Sequence, residues 1–201
     1  MHADVCRFIS EAVYDGRLQA EKGNSAQQLT LAPEADSALR AAGISWVPVT
    51  HEDCTQKSAA EAERISQIYK SLLEQQWTNR EGLTHRIGAA DILVVTPYNM
   101  QVNLLKSVLP AGARVGTVDK FQGQEAAVVL VSMTTSTSED VSRGLAFLYS
   151  RNRLNVAISR ARCLAIVVAS PKLLEARCTT IEQMKLVNTL CFLRAFAEGR
   201  A

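Results

Sequence analysis

Several features are missing from the 201-residue sequence, and each absence removes a class of protein. No apolar run approaches the roughly 20 residues that a membrane-spanning helix needs. The first residues, MHADVCRFISEAVYDG, lack the basic region and apolar core of a secretory signal. The five cysteines contain no Cys-x-x-Cys pair, which argues against a zinc site or a disulfide framework. We therefore predict a cytoplasmic protein with reduced thiols, no membrane contact and no metal ligands of its own.

Charge is unevenly distributed along the chain, although the net charge is only +2. Residues 1–100 contain 9 Lys/Arg and 13 Asp/Glu, a net charge of −4, whereas residues 101–201 contain 13 and 7, a net charge of +6. A basic half indicates an anionic partner such as phosphate or nucleic acid. The alternative is a solvated face of mixed sign, which charge alone does not exclude.

Apolar runs predict an α/β domain built on a parallel sheet. The run DILVVT (91–96) has no polar alternation, which is typical of a strand buried on both faces, and ARVGTV, AAVVLVSM and LAIVVAS share this character. Segments with helical spacing separate these runs, so we predict helices on both sides of the sheet and right-handed crossovers. A shorter strand is predicted at 45–50, where Pro48 favours an edge or a terminus. Ligands of such sheets lie beyond the carboxyl ends of the strands.

The first part of the chain is predicted to be a separate extension. Residues 3–14 have helical spacing, and the polar stretch that follows, up to about residue 43, is interpreted as irregular. The clearest helix begins at Ser58, which with Glu61 forms a capping-box pattern, and a polar loop is predicted over 78–90. We therefore divide the chain into a helical and irregular extension, residues 1–45, packing on a core domain of residues 46–201. His51 and His85 match no motif and are interpreted as structural.

Polar loops follow three of the predicted strands: TPYNMQ (96–101), TVDKFQGQE (117–125) and TTSTSEDVSRG (134–144). With its neighbours, the second loop reads VGTVDKFQGQEAAVVLVSM, and RLNVAISRAR follows further on. These two stretches resemble motifs V and VI of superfamily 1 helicases, in the branch of the Upf-type RNA helicases and the Dna-type helicase-nucleases. VVTPYNMQ resembles motif IV of that branch. From FLYSRNRLNV onward the sequence looks like bacterial proteins that fuse a RecB-like nuclease to such a helicase.

The resemblance implies the second RecA-like motor domain of a helicase, a three-layer fold of the P-loop NTPase type. It implies ATP with Mg²⁺ as the nucleotide, single-stranded nucleic acid (DNA favoured) as a partner, and further partners in a first RecA-like domain and a RecB-like nuclease domain. The sequence contains no G-x-x-x-x-G-K-[ST] phosphate loop, so the Walker A motif and the metal ligands are expected in that first domain. The family's Tyr-Arg pair would fall immediately before Met1, which suggests a fragment or a natural remnant.

The resemblance assigns nucleotide contacts to four positions. Arg160 matches the motif VI arginine that points at the γ-phosphate, where a guanidinium stabilises the charge of phosphoryl transfer. Its alternative is an arginine lying over its own helix. Glu125 matches the carboxylate that accepts from a ribose hydroxyl, the alternative being a local hydrogen bond. Gly123 lets the loop backbone approach the nucleotide closely, and Gln124 orients the loop.

The remaining arginines and the strand ends have less specific assignments. Arg153 lies seven positions before Arg160 and shares its helix face, so it either assists at the nucleotide or pairs with an acid such as Asp119. Arg151 and Arg162 are interpreted as surface or structural residues. We expect Thr96 and Thr117 to contact nucleic-acid phosphates through their hydroxyls or backbone N–H groups. Tyr98 either stacks on a base or packs at the start of a helix.

These assignments predict the C-terminal motor domain of an ATP-dependent helicase or translocase, without ATPase activity when isolated. One alternative is a nucleic-acid or protein binding module whose motor motifs are remnants. Another is an unrelated doubly wound domain that binds a mononucleotide alone, although no Gly-rich first strand-to-helix turn supports it.

Overall fold

The computed structural model describes residues 1–136, 151–175, 178 and 181–200, apart from the side chains of residues 151, 152, 182, 183 and 186. It contains eight strands, β1 (Gln28–Thr30), β2 (Gly43–Pro48), β3 (Gln76–Thr78), β4 (Thr84–Arg86), β5 (Ile92–Val95), β6 (Arg114–Gly116), β7 (Ala126–Ser132) and β8 (Ala161–Ala169). Its α-helices are α1 (Ala3–Val13), α2 (Ala59–Leu72), α3 (Asn99–Val108), α4 (Arg151–Ser159) and α5 (Ile181–Ala197).

Five strands form a parallel sheet in the order β2-β8-β7-β5-β6. Every residue of β5 and β7 is buried, and in β8 only the second residue, Arg162, is exposed. This explains the unbroken apolar runs, because a strand covered on both faces has no polar side. The parallel α/β sheet predicted from these runs is confirmed, and each of its five strands overlaps a predicted one, although β2 begins two residues and β8 three residues earlier than predicted.

The sheet separates two apolar layers, to which alternate strand residues contribute. Leu93, Val129 and Ala165 face α1, α4 and α5 in one layer. Val94, Leu130 and Ile166 face α2 and α3 in the other. The result is a three-layer RecA-like α/β fold.

The edge strand β2 ends at Pro48, which pairs in register with Ala169. A proline is tolerated there because β2 has only one neighbour. The predicted division of the chain between residues 45 and 46 falls inside β2, and α1 packs in the same apolar layer as Ile44. That division stays a prediction, and the elements on its two sides share one core.

A second, antiparallel sheet has the order β1-β3-β4. The irregular and loop interpretations of residues 28–30 and 84–86 are therefore wrong. Each of these strands has only three residues, which is too short for an alternating pattern to emerge. The turn between β3 and β4 contains residue types that favour turns. Asn79 Oδ1 accepts from the backbone N–H groups of Glu81 and Leu83, and Gly82 has a φ of 81°.

The N-terminus of α2 confirms half of the predicted capping box. Ser58 Oγ accepts from the Glu61 backbone N–H at 3.3 Å. The Glu61 side chain does not return to the Ser58 N–H, which instead donates to Gln101 Oε1 at 2.9 Å. In the described part of the chain, no helix has both the length and the apolar character needed to cross a lipid bilayer.

Candidate nucleotide and nucleic-acid site

The predicted site residues lie at two opposite ends of the parallel sheet. Glu125 immediately precedes β7 and Arg160 immediately precedes β8, so both lie where these strands begin. Thr96 and Thr117 directly follow β5 and β6, at the ends where strands finish. We call the first group, with Gln124 and Arg162, the amino edge, and the second, with Tyr98 and residues 134–136, the carboxyl edge. The expectation that all ligand contacts lie beyond the carboxyl ends is therefore wrong for Glu125 and Arg160.

Backbone pairing brings the two motif residues of the amino edge together. The N–H of Ala126 donates to the carbonyl oxygen of Arg160 at 3.0 Å, which makes Glu125 and Arg160 neighbours across the starts of β7 and β8. Arg162 Nε donates to Glu125 Oε2 at 3.2 Å, with both side chains about half exposed (48% and 49%). Arg162, interpreted from sequence as surface or structural, is thus the ion-pair partner of the candidate ribose-binding carboxylate.

Arg160 differs from the neighbouring arginines in its partners. Its Nε donates to the carbonyl oxygen of Val156 at 3.0 Å, and its Nη2 lies 3.4 Å from Ser159 Oγ. It therefore lies over the last turn of its own helix, where a cation is favoured by the helix dipole. Among the residues that the structure describes, no carboxylate forms an ion pair with it, whereas Arg153 and Arg162 each have one.

Arg153 lies towards the carboxyl edge. It shares a helix face with Arg160, but seven residues of helix separate the two by about 10 Å along the axis. Arg153 Nη1 is 3.6 Å from Asp119 Oδ2, so the local ion pair, one of the two alternatives left open by the sequence, is present. The side chain also lines a small apolar pocket with Thr96, Pro97 and Leu154. A nucleotide contact by Arg153 stays a prediction.

The loop that precedes Glu125 is held by an arginine that the sequence did not single out. Arg114, at the start of β6, donates through Nη2 to Gln124 Oε1 and through Nη1 to the Ala90 carbonyl oxygen, both at 2.7 Å. Gly123 has a φ of 79°, a conformation that favours glycine, and no atom lies within 4 Å of where its Cβ would be. The loop is therefore fixed in place while its glycine faces open space.

A polar pocket with a volume of about 420 Å³ opens beside the Glu125–Arg162 pair. Pockets for small ligands typically have volumes of about 300–1,000 Å³. Its walls join the start of the chain, the small antiparallel sheet and the amino edge: Met1, Glu21, Asn24, Gln27, Trp77, Asn79, Arg80, Glu81, Glu125 and Arg162. The pocket is therefore large enough for part of a nucleotide, and Glu125 is the one of the four assigned nucleotide contacts that lines it.

At the carboxyl edge, Thr96 has a different environment from the predicted one. Its side chain is fully buried, its hydroxyl lies 3.1 Å from the hydroxyl of Thr134, and its backbone N–H donates to Gly116. Both groups are thus used within the protein, and a direct contact between Thr96 and a phosphate is not supported. Thr117 is partly exposed after β6, as a phosphate contact requires.

Tyr98 is half-buried at the start of α3 and packs against an apolar layer. Burial raises the pKa of its phenol, and a hydrogen bond with the Thr135 side chain acts in the opposite direction. Packing, the alternative to base stacking, is therefore present, and the partly exposed ring leaves stacking as a prediction.

A buried polar cluster, which sequence reasoning missed, lies beneath the carboxyl edge. The Glu61 carboxylate is fully buried and accepts from Ser132 Oγ at 2.6 Å and from the Thr134 backbone N–H at 2.8 Å. His51 Nε2 lies 2.9 Å from Glu61 Oε1, and His51 Nδ1 lies 2.6 Å from Ser136 Oγ. The interpretation of His51 as structural missed these partners, because they are distant in sequence.

Gln101 connects this cluster to the start of α2. Its Nε2 donates to Ser132 Oγ and to the Ser58 carbonyl oxygen, each at 3.1 Å. The capping-box pattern that marked Glu61 and the motif that contains Gln101 were the only sequence signals for the cluster. Of the third predicted loop, 134–144, residues 137–144 lie outside the described residues, as does the Arg151 side chain.

Residues 1–172 match the family model AAA_12, described as an AAA domain. The chain belongs to this family. The match includes the amino edge, the carboxyl edge and the small antiparallel sheet.

The similar proteins are named helicases or nucleic-acid binding proteins. The chain is 38% identical over 99 residues to the probable RNA helicase armi of Drosophila melanogaster, a match that covers 44% of the chain and 8% of that protein. It is 29% identical over 196 residues to the putative helicase MOV-10 of Gallus gallus, covering 86% and 20%. It is 28% identical over 184 residues to the DNA-binding protein SMUBP-2 of Mesocricetus auratus, covering 86% and 17%.

These matches support the predicted resemblance to superfamily 1 helicase domains. The chain spans a fifth or less of the length of these three relatives. All three are animal proteins, so they do not support the narrower prediction of a bacterial protein with a RecB-like nuclease domain, which stays a prediction.

Proposed function

We propose that this chain is the C-terminal motor domain of an ATP-dependent helicase or translocase that moves along single-stranded nucleic acid. The observation that carries the proposal is the state of Arg160, which stands at the amino edge beside Glu125 with no carboxylate partner among the described residues. A guanidinium without a counter-ion is suited to the charge that develops on a transferring phosphoryl group. Arg160 is accordingly the proposed arginine finger.

The amino edge supports half of an ATP site. Glu125 offers a half-exposed carboxylate to a ribose hydroxyl, and the adjoining pocket of about 420 Å³ accommodates the nucleoside. In this proposal Gly123 and Gln124 shape the loop that ends at Glu125, and a nucleotide contact by Arg153 would require its side chain to leave Asp119 and reach across from the carboxyl edge. Mg²⁺ would neutralise phosphate charge and be held by the first RecA-like domain, as the resemblance to superfamily 1 helicases implies.

The carboxyl edge supports the contact with a single strand. The partly exposed Thr117 offers a hydroxyl suited to a backbone phosphate, and the partly exposed Tyr98 offers a ring suited to a base. Such contacts hold a strand without reading its sequence. The excess of Lys and Arg in residues 101–201 adds a favourable field for either nucleic acid, and we propose DNA as the preferred strand.

In this proposal, movement along the strand depends on two half-sites that lie at opposite ends of one sheet. ATP bound between this domain and the first RecA-like domain draws the two together, and hydrolysis releases them. Because the strand contacts lie at the opposite end of the same sheet, closure moves the strand-binding surface relative to that of the first domain. A RecB-like nuclease domain, suggested by the C-terminal resemblance, would act on the strand so delivered.

The test uses a protein that also contains the first RecA-like domain. Arg160→Ala should remove most of the nucleic-acid-stimulated ATPase while ATP binding, measured with a fluorescent analogue, is largely kept. The matched control is Arg194→Ala, which removes an exposed arginine of α5 that contacts only Glu198 among described carboxylates. ATP turnover that is retained in Arg160→Ala would contradict the role of Arg160 as the arginine finger. Salt-dependent strand binding that ATP does not alter, in a protein without ATPase, would favour a binding module instead.

A further inference from the structure

The chain leaves β7 in a conformation that its residue type disfavours. Thr134 has a φ of 75°, in the left-handed region, and its side chain is fully buried. For a β-branched residue this is a strained conformation, because Cβ crowds the backbone. Such residues persist where the surrounding structure holds them, and they cluster at functional sites.

Glu61 is one of the groups that hold this conformation, together with a backbone hydrogen bond from the Thr135 N–H to the Met133 carbonyl oxygen at 2.8 Å. Its Oε2 accepts from the Thr134 backbone N–H at 2.8 Å and from Ser132 Oγ at 2.6 Å. Since a carboxylate only accepts, the third neighbour, His51 Nε2 at 2.9 Å, donates to Oε1. Three donors compensate for the burial of the charge, and two of them come from the exit of β7.

The residues after Thr134 then reach the carboxyl edge in a fixed arrangement. Thr135 Oγ1 donates to the Thr55 carbonyl oxygen at 2.8 Å, and the Thr135 side chain is also the hydrogen-bond partner of Tyr98. Ser136 is paired through its backbone N–H with the Cys54 carbonyl oxygen, also at 2.8 Å. The direction in which the chain leaves Thr134 therefore decides where Thr135 lies and, through it, how Tyr98 is oriented.

We propose that Glu61 is a positioning residue for the single-strand contact, acting by holding Thr134 in its left-handed conformation and thereby orienting Thr135 and Tyr98. This inference rests on the proposed function, because it assigns the carboxyl edge to nucleic acid. Glu61 itself is buried and does not touch the strand. Its loss acts on strand affinity, and the amino edge, at the other end of the sheet, keeps its affinity for ATP.

The experiment measures nucleic-acid stimulation of ATPase in the protein that also contains the first RecA-like domain. The probe is a single-stranded oligothymidylate of about 20 nucleotides, longer than the site of one binding domain. Glu61→Ala should raise the oligonucleotide concentration that gives half-maximal stimulation about tenfold, with the KM for ATP unchanged. In the double variant Glu61→Ala/Thr134→Gly that concentration should return towards the wild-type value, because glycine adopts a positive φ without a Cβ penalty.

Two glutamines provide a matched comparison for general destabilisation. Gln101 and Gln75 are both fully or almost fully buried, and the side chain of each accepts from one backbone N–H and donates to a backbone carbonyl. Only Gln101 contacts the Glu61 cluster, through Ser132. Gln101→Ala should raise the half-stimulating concentration and Gln75→Ala should not. This pair also tests the proposal if Glu61→Ala fails to fold.

The outcomes separate this inference from the function on which it rests. Unchanged half-stimulating concentrations in Glu61→Ala and Gln101→Ala, an equal rise in Gln75→Ala, or no recovery in the double variant would each overturn the positioning role. A wild-type protein without any strand-stimulated ATPase would instead overturn the proposed function. Glu61→Gln should behave like the wild type, because its amide oxygen still accepts from Thr134 and a change of His51 tautomer accommodates the amide nitrogen.

Discussion

Arg162 donates from Nε to Glu125 Oε2 at 3.2 Å, so the candidate ribose-binding carboxylate is already partnered by an arginine of the neighbouring strand. Both side chains are about half exposed, and an ion pair in such a position contributes little to folding. The pair can therefore open for a ligand at small cost. Both side chains line the pocket, so opening the pair would free an acceptor at the pocket wall.

A first prediction concerns selection of the nucleotide sugar by Glu125. In the protein with the first RecA-like domain, Glu125→Gln should raise the KM for ATP about tenfold, the value of one hydrogen bond to a charged group. The wild type should prefer ATP to 2′-deoxy-ATP or to 3′-deoxy-ATP, and the variant should lose most of this preference. Steady-state ATPase assays with the three nucleotides measure it, and equal discrimination in both proteins would remove the ribose contact.

A second prediction is that the 201-residue chain alone does not hydrolyse ATP. Its sequence contains no Walker A motif, and the amino edge offers only one side of a nucleotide site. A phosphate-release assay with Mg²⁺ and single-stranded DNA should give the buffer rate. The protein that includes the first RecA-like domain is the positive control, and detectable turnover by the pure chain would contradict the assignment of half a site.

A third prediction concerns Gly116, the last residue of β6. A Cβ at this position would lie 2.6 Å from Lys120 Cδ and 3.1 Å from Phe121 Cε2, and Phe121 is buried. Gly116→Ala should destabilise the protein by about 1–3 kcal/mol, as overpacking does: Lys120 Cδ can rotate away, but Lys120 Cβ at 3.2 Å and the buried Phe121 ring must be displaced. Urea unfolding measures this loss.

A matched glycine controls for the loss of backbone freedom alone. Gly88→Ala places its Cβ no closer than 3.8 Å to Asp91 Oδ2, an ordinary contact, so it should leave stability nearly unchanged. Equal destabilisation by the two substitutions would show that crowding at Gly116 is not the cause.

A fourth prediction concerns the ion pair between Asp36, in the segment before β2, and Arg64 of α2. Arg64 binds both carboxylate oxygens of Asp36 at 2.6 Å, and this hydrogen bonding holds the pKa of Asp36 below its usual value. The resulting stability is fully present above the unfolded-state pKa of about 3.9 and is lost as the pH falls through the lower folded-state pKa. Asp36→Asn should therefore cost about 1–2 kcal/mol at neutral pH, with the difference shrinking in strong acid.

Urea unfolding of wild type and Asp36→Asn between neutral and strongly acidic pH measures this dependence. Glu81→Gln removes a fully exposed pair with Arg80 and should cause no measurable change at any of these pH values. A cost for Asp36→Asn that stays constant down to the lowest pH would contradict the lowered pKa.

Sequence reasoning succeeded where one local pattern decides the outcome. The runs around Leu93, Val129 and Ile166 had to be strands covered on both sides, because no polar residue interrupts them. The resemblance assigned Glu125 and Arg160 to one nucleotide, but only the hydrogen bond between Ala126 and Arg160 shows that the two are neighbours across β7 and β8.

Contacts between distant segments could not be foreseen in the same way. Glu61 was interpreted as part of a helix cap because Ser58 lies three positions before it, the spacing of a capping box. Its carboxylate instead bonds to His51, Ser132 and Thr134. Thr96 was expected at the surface because it ends a strand, whereas Thr134 covers its hydroxyl. Both errors arise because a polar side chain takes whichever partner the assembled fold brings close, and sequence spacing does not encode this.

The loop of residues 117–125 begins at the carboxyl edge and ends at the amino edge, so nine consecutive residues connect the proposed strand-binding surface with the proposed nucleotide surface. A conformational change at one of these surfaces could therefore reach the other along this segment, without rearrangement of the apolar layers. A change in the chain at either end shifts an anchor of the same short segment, which is fixed in between by Phe121 in the core and by the bond from Arg114 to Gln124. Adapting this domain to a different strand would therefore also retune its response to the nucleotide.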